Sequence, residues 1–176
     1  MSVQVVFETH SRSEDNEARI ATGWLPGRLS ALGREQARRL GERRREDGLS
    51  VVFTSDLARA VETAEIAFAD SSVPLAFDWR LRECNYGEQN GTRFPVEEDS
   101  AGRIDLPYPG GESWRQATER AIGFYEELRQ RRNGQRVGVI GHAATRWALE
   151  IFVRGRTIEE MVAEEYVWQP GWEYVL

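Results

Sequence analysis

There is no lysine in this chain of 176 residues; all 23 basic side chains are arginine. That excludes Schiff-base lysines and the lysine of a phosphate-binding P-loop, and it leaves arginine, histidine or backbone amides for any anion site. Cysteine occurs once, at Cys84, so no internal disulfide is available and a reducing, cytoplasmic setting is expected. Cys84 does not fit a cysteine-phosphatase loop either, because Asn90 stands where such a loop carries its arginine; it reads as a small buried hydrophobe. Histidine occurs twice, at His10 and His142, with no cysteine cluster and no His-Glu-x-x-His, so no metal site is expected. A dinucleotide glycine fingerprint, a Walker loop and a serine elbow are all missing, which leaves cofactor chemistry unsupported. No apolar run approaches the roughly 18 residues of a membrane span, and the chain starts in a strand without a basic and apolar leader. A formal net charge of −6 argues against nucleic acid as a partner.

What is present reads as one domain over residues 1–176, with 40% hydrophobic and 30% charged residues. An apolar β-branched run from Val3 gives way abruptly to polar residues at His10. Residues 14–28 read as loop, and Ser30 opens a helix to about Asp47 whose inward stripe is Leu32, Gln36, Ala37 and Leu40. Arg43, Arg44 and Arg45, like Arg131 and Arg132, read as a solvated helix end. A strand over 49–54 is followed by Ser55 and Asp56, good caps for a helix over 57–69. A short strand at 74–77, a loop over 79–91 and a surface excursion over 92–111 come next. Tyr86, Phe94 and Tyr108 are candidates to line a pocket there, or to pack on the surface. Ser113 and Gln116 form a capping box, with Trp114, Ala117, Ala121, Phe124 or Tyr125, and Leu128 on one face. The strand 137–140 leads into His142 and a helix to about Val153, and short elements near 158–162, 166–168 and 173–175 close the chain. Alternating strands and helices argue for a three-layer α/β/α domain on a mostly parallel sheet.

Ligands of open α/β sheets sit where strands exit at their carboxyl ends, and both histidines occupy that position. Each alone has the bland reading of a satisfied strand-end histidine; together they point to a shared site. Arg59, one turn into the helix after the second strand, suits an anion held at a helix N-terminus, or else a surface pair with Glu62 or Glu65. Glu83 is either surface charge or the carboxyl that carries a proton to a leaving group.

The ordered motifs resemble the histidine phosphatase superfamily, in the branch containing the phosphoglycerate mutases. Thr9-His10-Ser11-Arg12-Ser13-Glu14-Asp15-Asn16 is similar to the family's Arg-His-Gly-Glu-Thr-x-x-Asn, and 29–37 to its first helix. Ser55-Asp56-Leu57-Ala58-Arg59-Ala60-Val61-Glu62-Thr63-Ala64 resembles its second signature, Leu81-Arg82-Glu83 with Gly87 its acid loop, and 110–113 and Gly141-His142-Ala143 the last two. The resemblance implies a phosphoglycerate mutase-like fold and a metal-independent phosphatase working through a phosphohistidine on His10. Arg59, Asn16 and His142 would hold phosphoryl oxygens and Glu83 would act as acid and base. The partner would be a small phosphomonoester, with no nucleic acid or membrane, and a homodimer remains open. Thr9, Ser11 and Arg12 stand where the family has arginine, glycine and an acidic residue. Losing that arginine implies a cost of about 2.7–4 kcal/mol, or 10²–10³ in rate, unless something restores the charge. Arg12, Arg80 or Arg82 is expected to do so, or Arg12 simply faces solvent; in the latter case a weakened member that binds a phosphorylated ligand is the alternative. The short interval between Glu83 and Ser113 favours a phosphatase over a mutase.

Overall fold

The computed structural model describes residues 2–93 and 96–176, so Phe94 lies outside the described residues. The run at the N-terminus forms β1 (Gln4–Thr9), whose Val5, Val6 and Phe7 are buried on both faces of the sheet. Continuous burial of this kind is what a parallel strand covered by helices requires. Three further parallel strands, β2 (Val52–Thr54), β3 (Leu75–Phe77) and β4 (Arg136–Gly141), and a final antiparallel one, β5 (Trp172–Val175), complete the order β3-β2-β4-β1-β5. The sheet is therefore mixed and mostly parallel, as expected.

On one face, Val3, Val5 and Phe7 pack with α5 (Trp114–Arg131) and α6 (Ala143–Arg154). On the other, Val6, Val52 and Ile140 pack with α2 (Ala31–Arg44) and α3 (Ala58–Ala67). The stripe expected on α5 is buried throughout, and both Phe124 and Tyr125 belong to it. A third cluster, with Cys84, Tyr86, Tyr108, Trp114 and Ala144, lies under the loops beyond the strands' carboxyl ends. The excursion over 92–111, which carries α4 (Val96–Asp99), is thus more than surface: Tyr108 meets Tyr86 edge-on, with ring centroids 5.3 Å apart.

The loop expected over 14–28 contains a short helix, α1 (Glu14–Ala18), held by a capping box between Ser13 and Asn16. Leu32 is 51% exposed, and the inward face of α2 is Gly33, Ala37, Leu40 and Gly41. The glycines explain the shift: a Cβ on Gly33 would lie 1.9 Å from the Arg12 carbonyl oxygen, and one on Gly41 2.0 Å from that of Ala67. Arg43 and Arg44 do not simply face water, because both bond the buried carboxylate of Glu8. Residues 166–168 form no regular element, and α7 (Ile158–Ala163) precedes them.

One feature of the register positions the site. Thr9 lies opposite Gly141 in the β1–β4 ladder, and the His10 N–H extends that ladder by donating to the Gly141 carbonyl at 2.9 Å. The residues that follow each strand, His10 and His142, must then emerge side by side.

Candidate active site

The two imidazoles stand with ring centroids 5.0 Å apart at the carboxyl edge of the sheet. His10 Nδ1 lies 2.7 Å from the Ser11 carbonyl oxygen. A carbonyl only accepts, so Nδ1 carries the proton and Nε2 keeps its lone pair. That lone pair faces Arg59, whose Nε donates to it at 3.4 Å. His142 has the complementary tautomer. Its Nδ1 accepts from an Arg59 terminal nitrogen at 3.4 Å, so its Nε2 donates to Ser55 Oγ at 2.7 Å.

Arg59 is the hub. It is 2% exposed, and it also donates to the backbone carbonyls of Gly23 at 3.0 Å and Leu25 at 3.3 Å. The alternative of an ion pair with Glu62 or Glu65 does not hold: Glu62 bonds Arg34 and the Leu29 N–H instead. Its backbone position is fixed from below, since Thr63 Oγ1 donates to the Arg59 carbonyl and accepts from the Ser11 N–H. One threonine thereby ties the loop carrying His10 to the helix carrying Arg59.

Glu83 is not loose surface charge. Its carboxylate accepts from the N–H groups of Ala143 at 3.1 Å, Ala144 at 3.2 Å and Cys84 at 2.9 Å. The first two are the opening residues of α6, whose positive dipole end favours a carboxylate. The three bonds fill three of about four acceptor positions on the group. Trp24 Nε1 donates to the Glu83 carbonyl at 2.7 Å, and the Arg82 guanidinium stacks 4.6 Å over the Trp24 ring.

Ser11 is buried beside His10, and Asn16 is exposed with its amide oxygen bonded to the Ser13 N–H. Arg12 is exposed and its guanidinium has no partner among the described residues. Arg80 and Arg82 are both engaged, the first by Asp78 and Glu127 and the second by Asp56. Thr9 Oγ1 accepts from Tyr166 at 3.5 Å. The sequence reading missed the part played by Ser55. Residues 55 and 56 carry the right chemistry for a helix cap, yet Leu57 is the N-cap of α3 and no side chain caps it. Ser55 is spent on His142 and Asp56 on Arg82, which only the tertiary arrangement reveals. Cys84 is buried, and burial pushes its thiol up, away from the thiolate.

Burial, and then the charge of Arg59, pull the His10 imidazole down to about 3, against the opposing pull of its bond to Ser11. Burial, Arg59 and His10 lower His142 in the same direction. Both rings are therefore neutral at ordinary pH. Unfolded histidines take up protons near 6.5 and these do not, so the unfolded chain binds more protons as pH falls. Stability is expected to decline from pH 6.5 downward through the window toward about 3. Imidazole C–H resonances of both residues should stay unshifted between pH 8 and pH 5 in proton NMR; a midpoint near 6.5 for either ring would contradict the contact of both rings with the Arg59 guanidinium.

A sequence profile described as the histidine phosphatase superfamily (branch 1) matches residues 6–165. A phosphoglycerate mutase of Candida albicans is 43% identical over 93 residues, which cover 50% of this chain and only 38% of that protein. The chain thus spans well under two thirds of that relative. A 2,3-bisphosphoglycerate-dependent phosphoglycerate mutase of a Bradyrhizobium species is 31% identical over 92% of this chain and 86% of its own. Among solved structures, YhfR of Bacillus stearothermophilus superposes with a TM-score of 0.85 at 25% identity, over 96% of this chain and 88% of that one. A mycobacterial glucosyl-3-phosphoglycerate phosphatase complexed with VO3 gives 0.78 at 26% identity, over 91% and 86%.

Proposed function

This chain belongs to the histidine phosphatase superfamily (branch 1), and from that premise we propose that it hydrolyses a small phosphomonoester through a phosphohistidine on His10. The observation that carries the proposal is the pinned imidazole. With Nδ1 committed to the Ser11 carbonyl, His10 offers one nitrogen lone pair, aimed at a buried guanidinium. A lone pair beside a fixed cation suits in-line attack on an anionic phosphoryl group and little else.

In the first step Nε2 attacks phosphorus and the bond to the ester oxygen breaks, while Glu83 Oε2, which keeps one free acceptor position, takes the proton of the monoanionic ester and passes it to the leaving oxygen. In the second, the Glu83 carboxylate takes a proton from water as water attacks phosphorus, the P–N bond breaks and the pair returns to Nε2. Arg59 supplies the charge that the equatorial oxygens need, and the Ser55 hydroxyl, which accepts from His142 Nε2, keeps its own proton to donate to them. The 3.4 Å contacts between Arg59 and both rings are long for hydrogen bonds, which suits groups that close on an anion.

If Glu83 carries the proton, Glu83→Gln lowers kcat for an alkyl phosphate by about 10²–10⁴-fold. For 4-nitrophenyl phosphate, whose leaving oxygen needs no proton, the first step should be nearly unaffected. Equal losses in kcat/KM, which reports the first step alone, on both esters would make Glu83 a support for α6 and not the acid. A second reading, mutase activity, is favoured by the name of the Bradyrhizobium relative. Assaying 3-phosphoglycerate separates the two: release of inorganic phosphate supports hydrolysis, and conversion to 2-phosphoglycerate supports the mutase.

A further inference from the structure

Two arginines on helices that follow the site's strands are buried, Arg59 at 2% and Arg146 at 7% exposure, and they are held in opposite ways. Arg59 is bonded to two carbonyls and two imidazoles. The Arg146 guanidinium makes no hydrogen bond among the described residues; its buried Nε is unpartnered, and its nearest carboxylate oxygen, on Glu150, is 3.9 Å away. Glu150 is already bonded by Arg154 and by the Tyr174 hydroxyl. A guanidinium has five donors, and Arg146 is held only by this long ion pair and two ring faces, which leaves its hydrogen-bonding capacity unspent.

Its location suggests that partner. Arg146 lies four residues past His142, one turn along α6 on the same side, and helical side chains lean back toward the N-terminus. It is sandwiched between Trp172, 5.2 Å from its ring centre, and Tyr166, 5.9 Å away. The Tyr166 hydroxyl in turn touches Thr9, the residue before His10. In the strand order β3-β2-β4-β1-β5, Arg59 comes from the helix after β2 and Arg146 packs against β5. The elements that hold the two cations therefore lie on opposite flanks of the β4–β1 pair. Charge also needs a second one. With both imidazoles neutral, Arg59 is the only fixed positive group bonded to either ring among the described residues, against a phosphoryl dianion; Arg120, whose charge also reaches His142, is neutralised by Glu112.

We infer that Arg146 is the second cationic group of the phosphoryl site, held in store between Tyr166 and Trp172 and reaching the bound oxyanion past the small side chain of Thr9. The inference rests on the reading of His10 as the phosphoryl site. It also replaces Arg12, Arg80 and Arg82 as the source of the charge absent at position 9: two of those are engaged elsewhere, and Arg12 lies in solvent.

The test is orthovanadate affinity of the full chain, measured by calorimetry on wild type, Arg146→Met and Arg146→Met with Thr9→Arg. Methionine fills the space between the two rings without charge. Arg146→Met is expected to weaken vanadate binding by about 10²–10³-fold, with the melting temperature little changed. Thr9→Arg in that background returns a cation beside His10 and should restore most of the loss. Unchanged affinity in Arg146→Met, or a loss that Thr9→Arg does not restore, overturns the inference and leaves Arg146 a packing residue. Because binding is read directly, a wild type that holds vanadate but hydrolyses no ester would sink the hydrolysis reading and still decide the role of Arg146.

Discussion

His10→Ala is expected to lower phosphomonoester turnover on the order of 10⁶-fold, the scale seen when a covalent nucleophile is removed. The size follows from what no neighbour can supply. His142 stands 5.0 Å away ring to ring, but its Nε2 proton is donated to Ser55 and its Nδ1 lone pair is directed at Arg59. It cannot take over the attack without abandoning both contacts. The loss should fall on kcat, with phosphate affinity reduced far less, because Arg59 and His142 keep their positions. The fold should survive: removing a neutral, half-buried ring deletes one contact to Ser11 and one to Arg59 and leaves no buried charge unpaired. If His10→Ala retains more than a small fraction of wild-type turnover in a correctly folded protein, the nucleophile is elsewhere.

Arg59→Met should cost at least about 10²–10³-fold in kcat/KM, the loss for one preorganised donor aimed at developing charge. Three separate consequences identify the cause. The carbonyls of Gly23 and Leu25 lose their donor; the buried Gly23 carbonyl is the costlier, at about 1–3 kcal/mol, so the melting temperature falls. Arg59 helps to hold both imidazoles down, so their titration midpoints should move up toward 6.5 when it is removed. Arg59→Lys should rescue little, because a single ammonium cannot span two carbonyls and two rings as the guanidinium fork does. Raised midpoints with unchanged kcat/KM would show that Arg59 organises the loop without serving the reaction.

The parts of this picture legible in the sequence are those with local signals. Strand exits at His10 and His142, the Ser113 capping box and the apolar stripe of α5 follow from residue periodicity and cap chemistry, and each is found where expected. The ordered motifs were enough to bring His10, Arg59, Glu83 and His142 into one neighbourhood. What escaped was set by tertiary partners. Ser55 looks like a cap and is a histidine ligand, and Arg43 and Arg44 look like a solvated helix end and neutralise Glu8. Gly33 and Gly41 displace Leu32 from the inner face of α2 because two backbones approach closely there, which no helical periodicity encodes. Arg146 carries no motif at all. Its position becomes informative only when its missing hydrogen bonds and its flank of the sheet are both known.

Hydrolysis by this route requires a covalent bond between His10 and phosphorus. Its most direct test is to mix the protein with an excess of a turned-over phosphomonoester, quench in alkali within one turnover, and locate phosphate by peptide mass spectrometry. The expected result is an alkali-stable, acid-labile phosphate on the peptide containing His10, absent from His10→Ala. Phosphate on another residue, or single-turnover hydrolysis with no adduct on His10 under a quench that preserves phosphohistidine, would contradict it.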